Sequence, residues 1–74
     1  MKEDWCVVLF HSTSLALRGE KLCREEKIPV KLIPVPRSLS SDCGVCLRFP
    51  CADEDRLRAI FTARALEFDD IARL

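Results

Sequence analysis

Residues 5–10 read WCVVLF, and residues 30–35 read VKLIPV. The contrast between these two runs decides the fold. The first is six apolar residues, rich in β-branched and aromatic types, too short for a buried helix and suited to a strand. Both of its faces are apolar, Trp5, Val7 and Leu9 on one and Cys6, Val8 and Phe10 on the other. A strand with two apolar faces belongs in the centre of a sheet. The second run carries Pro34 and is bounded by Pro29 and Pro36. Proline has no N–H to give to a ladder, so this strand belongs at an edge.

Between them, HSTS offers Ser12 or Thr13 as a helix N-cap. Leu15, Ala16, Gly19, Leu22 and Cys23 then recur on one helical face, with charge on the other. This first helix is expected to end near Lys27, because Pro29 keeps Ile28 out of the helical region. Glu20 and Arg24 are spaced for an i,i+4 pair. Beyond the edge strand, VCLRF (45–49) alternates, with Val45, Leu47 and Phe49 on one face. PCADEDRLRAIFTAR follows with early acids, late arginines, and Leu57, Ile60, Phe61 and Arg64 at helical spacing, an order that suits the helix dipole. LEFDDI (66–71) alternates and predicts a last strand.

The order β-α-β-β-α-β in one short domain, residues 1–74, predicts an α+β, ferredoxin-like plan. Its sheet has four antiparallel strands in the order 4-1-3-2, with two helices on one face. The proline-bearing strand then falls at an edge and the two-faced strand in the centre, so local and global signals agree.

Composition bounds the function. The chain has 74 residues, 12 Lys plus Arg and 12 Asp plus Glu, with the signs interleaved. This balance lacks the electrostatic footprint of a nucleic-acid binder. Met1 to Asp4 lead straight into an apolar run too short for a targeting or membrane segment. A cytoplasmic location, a reducing environment and mostly free thiols are therefore expected of the five cysteines.

The predicted topology brings three segments to one rim of the sheet. They are His11, Ser12 and Thr13 at the start of the first helix, the loop from Pro36 to Asp42, and Cys43 with Gly44 at the start of the third strand. A helix N-terminus favours an anion, and a thiolate is one. Arg37 would add positive charge there, and Asp42 would act against it. Gly44 would let the chain turn tightly or a ligand approach the backbone. Cys6, Cys23 and Cys51 fall toward the far rim, with Cys51 about 20 Å from Cys43 at strand rise. That separation weakens a shared thiol metal site, which needs four ligands around one point. CGVC (43–46) is the chain's one C-x-x-C motif. Placed on a strand, its two Cα atoms lie roughly 10 Å apart, too far for a disulfide unless Cys43 folds back.

These residues resemble a known small bacterial family, the selenium/sulfur carrier protein-like domains. The resemblance rests on Phe10, Ser12 and Thr13, on Ala16-Leu17 and Glu20-Lys21, on Pro34 to Arg37, and on Ser40 to Gly44. It implies that Cys43 is the functional cysteine, carrying reduced sulfur or selenium as a persulfide or selenosulfide, and that Cys46 is at most a secondary thiol. Ser12, Thr13 and the helix amides would stabilise the anion. Arg37, Ser40, Ser41, Asp42 and Gly44 would shape the loop and meet a protein donor or acceptor. No metal, cofactor, membrane or nucleic acid is expected, and a carrier is expected rather than an enzyme with its own turnover. His11 is the one residue placed to act as a base across the rim.

Other readings stay open from the residues alone. Cys43 is equally a small apolar residue filling the top of the sheet. With both helices on one side, the other apolar face would stand open and serve a homodimer or another interaction. A thiol metal site is the third reading.

Overall fold

The computed structural model describes residues 4–39 and 44–74. Its elements are β1 (Trp5–Leu9), α1 (Thr13–Glu25), β2 (Lys31–Pro34), β3 (Val45–Pro50), a 3-10 turn (Cys51–Asp53), α2 (Glu54–Ala63) and β4 (Asp70–Arg73). The sheet order is β2-β3-β1-β4, and every neighbouring pair is antiparallel. This is the ferredoxin-like plan read from the sequence. The proline-bearing β2 lies at an edge, and β1 lies between β3 and β4.

Alternation along β1 builds two cores. Cys6, Val8 and Phe10 face α1 and α2, where they meet Ala16, Leu22 and Cys23 of α1, Leu57 and Phe61 of α2, and Leu47 and Phe49 of β3. The Phe10 and Phe61 rings sit 5.9 Å apart, and Phe61 and Phe68 the same. Gly19 is where α1 comes closest: a Cβ there would meet Phe10 at 2.7 Å and Phe61 at 3.3 Å. Val7 and Leu9 point the other way and pack with Cys46.

Both helices stop in the same manner. Beyond α1, Lys27 takes a left-handed φ of 61°, and beyond α2 Ala65 takes 54°. The Ile28 N–H donates to the Cys23 carbonyl at 2.9 Å, and the Leu66 N–H to the Phe61 carbonyl at 2.9 Å. The Lys27 N–H donates to Arg24 and the Ala65 N–H to Thr62, completing two Schellman motifs. Each then turns an apolar residue, Ile28 or Leu66, into the core. A left-handed non-glycine residue costs roughly 1–2 kcal/mol, partly offset by the looser unfolded state of glycine. Ala65→Gly is therefore expected to stabilise the fold by about 0.5–1 kcal/mol, raising the melting temperature by roughly 2–8 °C. Thermal unfolding followed by circular dichroism checks this, and a lowered midpoint would contradict it.

The last strand differs from the sequence reading. Only the last two residues of LEFDDI enter it: β4 runs from Asp70 to Arg73. Leu66 is consumed by the helix-ending motif, and Phe68 packs on the helix-side core before pairing begins. The chain bends at Asp69, whose N–H donates to the Leu9 carbonyl at 2.7 Å. In the ladder that follows, Ile71 opposes Val8 and packs on the helix-side core.

Candidate functional site

The registers fix what shares a rim. Leu9, the end of β1, lies opposite Cys46, and Pro34, the end of β2, lies opposite Val45. The Val35 N–H donates to the Gly44 carbonyl at 3.2 Å, so the β2–β3 hairpin continues to Gly44. The turn into α1 leaves β1 at this same end. Ser12 caps α1 in an extended conformation, its Oγ accepting from the Leu15 N–H at 3.3 Å, and Thr13 begins the helix. The first turn of α1 contains no acidic residue, so its positive end is not offset locally. Arg37 is exposed, on a turn closed by the Leu39 N–H donating to the Pro36 carbonyl at 3.0 Å.

Of the residues singled out in the sequence, Ser12, Thr13 and Gly44 thus come to one end of the sheet. Ser40, Ser41, Asp42 and Cys43 lie outside the described residues. Gly44 is exposed, has no left-handed φ, and has nothing within 4 Å of where a Cβ would stand. A tight turn therefore does not explain this glycine. His11 is exposed and sits 4.0 Å from Asp69, near the start of β4.

The other cysteines are committed elsewhere. Cys6 and Cys51 form a disulfide across the far rim, with Cα atoms 5.1 Å apart. Two of the five cysteines expected to be mostly free thiols are thus bonded. Trp5 opposes Pro50 at the ends of two adjacent strands, and the Cys51 N–H donates to the Asp4 carbonyl at 2.9 Å. The two sulfurs are thereby brought within bonding reach. Cys23 is a free thiol sealed in the helix-side core, and burial pushes its pKa up to about 11. Such a thiol is protonated and inert at neutral pH. Cys46 is fully buried between Val7 and Leu9. Among the described residues, no group of three or more His, Cys, Asp or Glu is placed to hold a metal ion.

The sheet face away from the helices is not open at its centre, contrary to the sequence reading. Val7, Leu9 and Cys46 are buried there, packed with Ile33 and Ala72 of the flanking strands and with Val35 and Leu39 of the β2–β3 loop. Leu39 was invisible as a core residue because the loop has no periodicity to reveal which side chain turns inward. On the same face Arg48 lays its guanidinium over the Trp5 ring, 4.4 Å from the centroid. Strand alternation puts Arg48 on the side opposite Leu47, where a solvated or partner-facing arginine is the ordinary expectation; the Trp5 contact is what alternation does not reveal.

One family model, described as "Putative Se/S carrier protein-like", matches residues 5–73. The chain belongs to this family. The match covers nearly the whole carrier-like domain, from the first residue of β1 to the last of β4. No curated protein and no solved structure matches the chain. Among the described residues of this carrier-like domain, no helix is long and apolar enough to cross a membrane.

Proposed function

We propose that this domain carries reduced sulfur or selenium on Cys43 and hands it from one protein to another. The observation that supports this most is the disposal of the other four sulfurs. Two are in a disulfide, one is held protonated in the core, and one is sealed against β1. Family membership supplies the carrier reading. Gly44, the covalent neighbour of Cys43, begins at the rim where the uncompensated end of α1 also lies. Amides at such an end favour a thiolate over a thiol.

Transfer on this reading needs no external oxidant. The Cys43 thiolate attacks the outer sulfur of a donor persulfide. The donor S–S bond breaks, its inner sulfur leaves as a thiolate with the electron pair, and Cys43 keeps the transferred sulfur as a persulfide. A selenium atom bound through a donor selenosulfide transfers in the same way. Delivery repeats the step, with an acceptor thiolate attacking the outer atom and Cys43 leaving as thiolate. A low thiol pKa helps both steps, by raising the thiolate fraction and by making Cys43 a better leaving group. On this reading Ser12, Thr13, Arg37, Ser40, Ser41, Asp42 and Gly44 are the residues that a donor or acceptor protein would meet.

The homodimer reading is less well supported, because the centre of the face it needs is filled by the chain's own side chains. A cytoplasmic site of action fits thiol chemistry, while the Cys6–Cys51 bond is the usual mark of an oxidising compartment.

The pH dependence of alkylation at each cysteine, read by mass spectrometry, tests the activated thiol. Cys43 is expected to react with a midpoint below about 8.5, the ordinary cysteine value. Cys23, raised to about 11, is expected to stay unmodified throughout that range. A Cys43 midpoint at or above the ordinary value would remove the basis for the proposal.

A further inference from the structure

At the end of the sheet opposite Gly44, Trp5, Arg24, Pro29, Val30, Lys31 and Arg48 line a pocket of about 370 Å³. Three of the six are cations, and none is an acid. In a chain with equal numbers of acidic and basic residues, that is a local segregation of charge. Lys31 and Arg48 lie directly opposite one another on β2 and β3. Like charges in that relation repel, and a sheet does not place them so without cost. Arg24 is partly offset by Glu20 at 3.2 Å. Lys31 and Arg48 have no carboxylate partner among the described residues.

Arg48 is unusual in a second way. Its Nε is buried and makes no hydrogen bond. The guanidinium is held by stacking on the Trp5 ring rather than by an acceptor. It is thus fixed in position without being neutralised, which lowers the ordering cost of binding an anion. A guanidinium edge beside an ammonium suits the oxygens of phosphate.

We infer that this pocket is a binding site for a multiply charged phosphate-type oxyanion, seated between Lys31 and Arg48 with Arg24 at its margin. It lies at the end of the strands opposite Gly44 and does not depend on the proposed carrier role. Bound phosphate would relieve the repulsion between the two facing cations and accept from the guanidinium.

Trp5 is the chain's single tryptophan, so its fluorescence reports on the site directly. The test titrates the wild-type chain with inorganic pyrophosphate, holding ionic strength constant with chloride. A saturable change is expected, weakened at least tenfold by Lys31→Gln and by Arg48→Gln and unaltered by Lys21→Gln on α1. Lys31 is exposed on an edge strand, so its variant keeps the fold, which far-UV circular dichroism verifies. Parallel titrations with inorganic phosphate and AMP separate free oxyanion from phosphate ester, and tighter binding of any of the three supports the site. No saturable change with any of them, or Lys31→Gln binding as tightly as wild type, overturns it.

Discussion

Reduction of the Cys6–Cys51 bond is expected to remove about 3–4 kcal/mol of stability. The two cysteines are 45 residues apart, so the bond closes a loop that takes in β1, α1, β2 and β3. In the chain-entropy description, a loop of that length restricts the unfolded state by about 4 kcal/mol. A domain this small holds only about 4–11 kcal/mol in total. Its core is thin, and the left-handed Lys27 and Ala65 already subtract from it. Urea unfolding with and without a reductant, or of Cys51→Ala beside wild type, measures the difference. Coincident transitions would contradict the expectation. The resting redox state is read separately, by alkylating the unreduced protein in denaturant and mapping whether Cys6 and Cys51 accept label.

The disulfide also shows what the sequence withheld. The far-rim placement of both cysteines followed from topology, but their bond needed the register, Trp5 against Pro50, and no spacing rule supplies a register. The architecture was legible because its signals were strong and independent. Pro34 marked an edge, the two apolar faces of residues 5–10 marked a centre, and Ser12 marked a helix start. The last strand was misplaced because Leu66 and Phe68 alternate in the chain but serve the helix stop and the core before pairing begins. The closed second face escaped notice because it depends on Leu39, a single loop side chain. Arg48 escaped because alternation tells on which face a side chain lies, not what it leans on. The rim of the candidate site, by contrast, follows from strand direction alone. Antiparallel pairing of β1 with β3 and β3 with β2 brings Gly44 to the end at which α1 begins.

Replacing Cys43 with serine is expected to abolish sulfur loading altogether while leaving the fold intact. The other cysteines offer no substitute. The Cys23 thiol is buried and protonated, Cys46 is enclosed by Val7 and Leu9, and the remaining two are bonded to each other. Cys46→Ser is expected to leave loading unchanged and to cost stability, because it puts a hydroxyl into a packed apolar face. The two substitutions, three residues apart, therefore separate chemistry from packing.

The decisive measurement is tandem mass spectrometry of the Ser38–Arg48 peptide after the protein is exposed to a persulfide donor and freed of excess donor. One added sulfur atom, assigned by fragmentation to Cys43, removed by dithiothreitol and absent from Cys43→Ser, is the predicted result. Sulfur found on Cys46, or gained equally by the Cys43→Ser chain, would contradict the carrier assignment.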